Sequence, residues 1–369
     1  ESALLDDNLR MVNPPLLSDI VDHKLEFYNR AKDYMPVAPF EPTLKYCVRG
    51  TEGANFAVSQ GQFSPKELPE DSAEAARMFE QDWGVLEDVS VPGSEYEPLF
   101  FKPMDSAGGD GSMALSYEEM MDRVVNQRIY KKESMDDEDW IIHHGNGVLM
   151  LSVPHFSDMR AVAADDEIVT TYERIGHPEK IQTNFDELPE HLQNPDELVA
   201  NNFATPIYHL RHPKAIEGVQ NLVDLGNEML DEYFVEEHGI SPENVDQNIG
   251  KWVGWDYALI NSGHPLFQSY PEPVKEHLTQ DSFSIPSEVV RGDDYGFESE
   301  FADDLDDVYL TVLEGNLSPG MKGDSLVDWA TQDTRPNLIH YAECMSYKED
   351  YNVGGWRTNR MKDIPPDIV

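Results

Sequence analysis

Tyr117, Met120, Met121, Val124, Val125 and Ile129 recur three and four residues apart, with Asp122, Arg123, Asn126, Gln127 and Lys131 between them. That is the period of a helix with one face built to pack. Ser116 and Glu119 stand at capping-box spacing, so each side chain can satisfy the other's free backbone N–H at a helix start. The pattern predicts a helix from Ser116 to about Glu133, on the order of 27 Å long. A second stripe, Ile216, Val219, Leu222, Val223, Leu225, Met229, Leu230 and Phe234, predicts a helix from about Pro213 to His238, stopped by Gly239. Val148 to Val153, Ile168 to Tyr172 and Asp307 to Glu314 read as strands, with a turn over Gly315 to Gly323 and a strand pair over Leu338 to Asn352.

The remaining stretches are more extended. A helix is predicted from Ser18 to about Lys32, after which Pro36, Pro39 and Pro42 favour a polyproline-like path that needs another surface to lie on. The alternation and glycines of Tyr46 to Gln62 predict strands and turns, and Ala73, Ala75, Ala76, Met78 and Phe79 a short helix within Ser64 to Gly84. Val85 to Met104 is extended chain broken by Pro92, Pro98 and Pro103, and Asp105 to Ser112 is a glycine-rich loop. Helices and strands in this mixture predict an α+β fold.

Charge changes the picture. The 369 residues carry 71 Asp plus Glu against 27 Lys plus Arg, a net charge of −44. Such a surface repels itself at ordinary ionic strength, but the Debye length contracts to roughly 3 Å in 1 M salt. The acidic residues are interleaved with apolar ones throughout, which argues against a disordered acidic tail, a DNA mimic or a chaperone. The expectation is a protein of an extreme halophile. No apolar run approaches the roughly 20 residues that span a bilayer, and the start lacks the basic and apolar regions of a signal peptide. Glu1 with no preceding Met implies trimming by a protease or a truncated chain.

Candidate chemistry is sparse. Cys47 and Cys344 stand in no CxxC or Cys/His spacing and read as buried thiols. His143 and His144, beside Gly145-Asn146-Gly147, invite a metal or general-base reading, but adjacent histidines point apart and no His-x-x-x-His pair or matched carboxylate follows. A polar turn is the favoured reading. His209 and His212 read as surface histidines. Asp303, Asp304, Asp306 and Asp307 offer oxygen ligands without an EF-hand spacing; they, Asp293-Asp294 and Asp165-Asp166-Glu167 read as hydrated acidic faces. Trp252 and Trp255 read as core. The phosphate-binding, nucleophile-elbow and zinc-protease motifs are absent, and Gly108-Gly109 lacks strand and helix flanks. No catalytic, cofactor-binding or metal-ligating residue is assigned, and no cofactor; the chain reads as a non-enzyme.

The run RIYKKESMDDEDWIIHHGNGVLMLSVP, following the capped helix, resembles a stretch of tailed-virus major capsid proteins of the Hong Kong 97-type fold, which encapsulin nanocompartments share. There a long spine helix gives way to a Glu-Asp pair, a short apolar segment and a glycine turn before the sheet. HGISPENVDQNIGKWVGWDYALINSGHPLF resembles the same family's second domain. The resemblance implies an N-terminal arm over 1–45, an extended loop region over 46–112 and a peripheral domain with the spine helix over 113–200. An axial domain over 201–330 and C-terminal strands over 331–369 returning to the peripheral domain complete the expected organisation. Residues 331–369 carry five Lys plus Arg against six Asp plus Glu, a near balance expected of buried or contact surface.

What the resemblance implies is a capsid protein of a virus of a halophilic archaeon, left after a protease removes a scaffolding segment. It would self-assemble through hexameric and pentameric capsomers into an icosahedral shell, assembled in the host cytoplasm and found in the virion. Its partners would be its own copies, decoration or minor capsid proteins, and double-stranded DNA held without sequence preference; no membrane is implied. Two alternatives stand beside it: a halophilic cytoplasmic metal-dependent enzyme using His143, His144 and an acidic cluster, and an encapsulin-like nanocompartment shell.

Overall fold

The computed structural model of the chain describes residues 11–91, 97–104, 112–128, 147–175, 203–205, 213–280, 283–287 and 307–317. The expected strand pair at Leu338–Asn352 and the glycine-rich loop centred on Gly108 lie outside them.

The described chain begins with strand β1 (Met11–Val12), followed by helices α1 (Ser18–Val21) and α2 (Lys24–Ala31). The one helix predicted over Ser18–Lys32 is broken between them. His23 turns to extended backbone at φ −94°, and its ring nitrogen accepts the Glu26 N–H at 3.3 Å, which starts α2 afresh. Leu17, Ile20, Phe27 and Tyr28 are each at most 1% exposed. Burying one such apolar side chain contributes roughly 1.5–3 kcal/mol; a few of them together match the whole net stability of a typical domain, about 5–15 kcal/mol. The described part of the segment expected as an arm, from Met11 on, therefore contributes to this chain's own core. The proline-spaced path does find surfaces to lie on: Pro36 O accepts the Val312 N–H and Pro39 O the Leu151 N–H, both at 2.8 Å.

After strand β2 (Phe40–Pro42) the chain turns helical. Where strands were expected over Tyr46–Gln62, the chain makes a tight 3-10 turn at Thr43–Tyr46 and then helix α3 (Glu52–Ser59). Thr51 Oγ1 caps it by accepting the Ala54 N–H, and the small residues Gly53, Ala54 and Ala57 form its buried face. Small residues at mixed spacing suit a close-packed helix as well as a strand. Helix α4 (Ser72–Trp83), capped by Asp71 accepting the Glu74 N–H at 2.8 Å, buries Ala75, Phe79 and Trp83. The described part of the expected extended loop over 46–112 thus holds two packed helices and strand β3 (Leu99–Pro103), and strand β4 (Met113–Leu115) follows just beyond it.

The capping box forms as predicted at helix α5 (Tyr117–Val125): Glu119 N–H donates to Ser116 Oγ at 3.2 Å and Ser116 N–H to Glu119 Oε2 at 2.9 Å. The helix stops at Val125 and does not run on to Glu133. Gln127 takes the left-handed φ of 55°, its Nε2 donates to Val124 O at 2.7 Å, and its Oε1 accepts the Val48 N–H at 2.8 Å. A side chain anchored to the α3 approach ends the helix.

The second half supplies strands β5 (Gly147–Leu151), β6 (His155–Ala164), β7 (Glu167–Ile175) and β8 (Phe203–Thr205), then helix α6 (Pro213–His238). Gly239 follows at φ 63° and donates to Val235 O, the left-handed stop expected of it. Helix α7 (Pro242–Asn248), strand β9 (Ile249–Gly250), strand β10 (Trp252–Ile260), helices α8 (Pro265–Ser269) and α9 (Glu272–Leu278), and strands β11 (Ser284–Pro286) and β12 (Asp307–Leu317) complete it. Strand β12 runs through Gly315 to Leu317, where a turn was expected.

Two antiparallel sheets organise these elements: a six-stranded one in the order β11-β12-β10-β6-β7-β8 and a four-stranded one in the order β2-β5-β3-β4. A short parallel pair joins β1 to β9. Strand β10 is buried along its whole length, so both its faces are covered. On one face Trp255 meets Gly226 of α6, where an added Cβ would sit 2.6 Å from the indole, and Phe27 of α2, with ring centroids 6.4 Å apart. Helices packed on antiparallel sheets make this an α+β chain. The large sheet takes β6 and β7 from the 113–200 stretch and β10, β11 and β12 from 201–330, so these two stretches share one layer.

Candidate functional site

The most elaborate polar arrangement among the described residues lies where the two sheets meet. Asp256 interrupts the apolar run of β10 and is 1% exposed. Arg160, opposite it on β6, donates from Nε to Oδ1 at 2.5 Å and from Nη2 to Oδ2 at 2.7 Å. This is the two-pronged geometry in which guanidinium binds carboxylate most strongly. On the other neighbour, β12, Asn316 Nδ2 donates to Asp256 Oδ2 at 3.0 Å and lies 3.4 Å from Glu314 Oε1.

Tyr28 and Lys102 extend the seam toward the smaller sheet. Lys102, on β3, donates from Nζ to Tyr28 Oη at 3.0 Å and to Leu313 O at 3.2 Å, and its ammonium lies 5.7 Å from the centre of the Tyr28 ring. Tyr28 Oη also donates to Leu313 O. Burial pushes the Tyr28 hydroxyl above its ordinary range, with Lys102 pulling the other way. Arg160, Lys102, Asp256 and Glu314 bring two charges of each sign together, so the seam is balanced inside a strongly acidic molecule. Its chemistry is that of a clamp: a protonated phenol, a paired Arg160 and Asp256, and an ammonium held on Tyr28 Oη and Leu313 O.

A second network ties α4 to the turn before α3. Trp83 Nε1 donates to Tyr46 Oη at 2.9 Å, Tyr46 Oη donates to Asp82 Oδ2 at 2.9 Å, and Lys45 Nζ bridges Asp82 at 2.8 Å and Glu41 at 3.0 Å. Burial pulls the Lys45 ammonium down, but its two carboxylate partners outweigh this and hold it above its usual value. A third sits at the tip of the β6–β7 hairpin. Asp165, at φ 50°, accepts the Lys251 N–H at 2.9 Å through Oδ1, and Lys251 Nζ binds both oxygens of Asp231 at 2.7 Å. Burial raises the Asp231 carboxyl, opposed by Lys251.

These contacts decide the sequence candidates that fall on described residues. Asp165 and Asp166 form the hairpin tip: the Asp165 carbonyl accepts from Asn227, and the Asp166 carbonyl from Gln220 at 2.5 Å. Asp165 was expected as hydrated surface and is instead tied to α6 and β9–β10. Asp307 begins β12 opposite Pro286. Trp252 and Trp255 are core, as expected, at 2% and 0% exposure. Cys47 is buried and its thiol is pushed up to about 12, so it stays protonated and inert as a nucleophile near neutral pH. His143, His144, His209, His212, Asp293, Asp294, Asp303, Asp304, Asp306 and Cys344 lie outside the described residues. Among the described residues no three His, Cys, Asp or Glu side chains gather as a metal site, and no helix is long and apolar enough to cross a membrane.

Motif reading missed Arg160, Lys102 and Asn316, because a cross-strand pair separated by 96 positions leaves no local pattern. The available signal was Asp256 itself: a lone carboxylate within WVGWDYALI demands a buried partner.

No family model matches the chain, and no curated protein matches it. Among solved structures, D-alanyl-alanine synthetase A from Vibrio cholerae is similar at a TM-score of 0.40 and 10% identity, covering 89% of this chain and 63% of that one. The chain thus spans less than two thirds of that enzyme's length, and so low a score carries no argument about fold or activity.

Proposed function

We propose that this chain is a structural protein, a major capsid protein of the Hong Kong 97 type that self-assembles in high salt into an icosahedral shell around double-stranded DNA. The observation that carries the reading is the layout of Ser116 to Pro154, a capped helix followed by an acidic break, an apolar stub, a glycine turn and a strand. Both ends of that layout fall on described residues, as α5 and β5. The α+β architecture and the evenly spread charge of −44 support it, the latter as the surface of a particle kept soluble in brine.

One part of the expectation shifts. Helix α5 has nine residues, about 14 Å, against the roughly 27 Å expected of the spine. In this reading α5 still opens the spine segment, and residues 11–45 belong to the subunit body. The partners are further copies of the chain in hexameric and pentameric capsomers, and packaged DNA is touched without sequence preference.

Sedimentation and electron microscopy of the native protein in molar salt test the proposal. Megadalton icosahedral particles that dissociate as salt is withdrawn are the expected result, and DNA inside them separates a virion shell from a nanocompartment. A species of one to six subunits at every salt and protein concentration would overturn it.

A further inference from the structure

We draw no further inference here: the strongest candidate, the buried side chain of Asn248 at the end of α7 beside the β1–β9 pair, 1% exposed with neither amide atom hydrogen-bonded, carries nothing because no feature of the described residues shows what would occupy it.

Discussion

Arg160 and Asp256 hold each other through two hydrogen bonds, 2.5 and 2.7 Å long, across the β6–β10 boundary at the centre of the large sheet. Removing either partner strands the other in a poorly hydrated place. Asp256→Ala should cost about 3–5 kcal/mol, the usual result of breaking a buried pair from one side. The double variant Arg160→Met with Asp256→Leu should cost much less than the two single changes together. Denaturant unfolding in molar salt reads both; additive losses would show that the pair is not coupled.

The clearance above Trp255 makes a second test. A Cβ at Gly226 would come within 2.6–3.0 Å of three indole atoms, so Gly226→Ala should destabilise by about 1–3 kcal/mol through overpacking. Gly239→Ala meets no neighbour within 4 Å but must hold φ 63°, and should cost about 1 kcal/mol, from backbone strain alone. Pairing Gly226→Ala with Trp255→Phe, which shortens the ring, should recover part of the first loss and none of the second.

Cys47 supplies a pH dependence with a definite sign. Its thiol titrates from an ordinary value of 9.0 when unfolded and at about 12 when folded, because burial disfavours the thiolate. Below 9 both states keep the proton and the difference is fully present as stability. Between 9 and 12 only the unfolded state releases it, so stability falls as pH rises, by at most about 1.4 kcal/mol per unit. In a Cys344→Ser background, thiol reagents at pH 8 should label the folded protein only on unfolding, and Cys47→Ala should flatten the alkaline limb of the stability curve.

Salt should act on the surface and leave the sheet seam alone. With a net charge of −44, raising salt from 0.1 M to 1 M shrinks the screening length from about 10 Å to about 3 Å, and the unfolding midpoint should climb steeply. The coupling energy between Arg160 and Asp256, measured by the double-variant cycle at both salts, should change little. A coupling that falls in step with the surface effect would mean that the pair is open to solvent.

The N-terminal segment offers a test of its own. Deleting residues up to Lys32 removes Leu17, Ile20, Phe27 and Tyr28 from the core. The truncated chain should show no cooperative thermal transition at any salt, where loss of a peripheral arm would leave the transition intact.

How much of this was legible in the sequence depended on whether the deciding contacts were local. The stripe from Ile216 to Phe234 and the glycine after it fix both ends of α6, because every determinant lies within the helix or one residue beyond it. The Ser116 and Glu119 pair likewise starts α5 where expected. Its end was not legible, since Gln127 stops it by reaching Tyr46 and Val48, about eighty positions away. The burial of Leu17, Ile20, Phe27 and Tyr28 was hidden for the same reason: a short amphipathic helix looks alike whether it lies on its own chain or on a neighbour. The sheet seam could be guessed only in part, from a carboxylate among apolar residues. Its partners come from four other stretches of chain, at Tyr28, Lys102, Arg160 and Asn316.

Helix α6 is gripped along its length by unlike neighbours: Gly218 against Ile285 and Leu310, Gly226 against Trp255, Glu237 against Arg30. The missing side chain at Gly226 lets the Trp255 indole sit against the backbone of the helix there. Glu237 stands eleven residues further on, about 16 Å along the axis. A tilt of about 5° around Trp255 would swing it by about 1.4 Å, enough to open the 2.6 Å contact with Arg30 while the middle of the helix hardly moved. A rigid helix pivoting at that contact would carry its two ends in opposite directions.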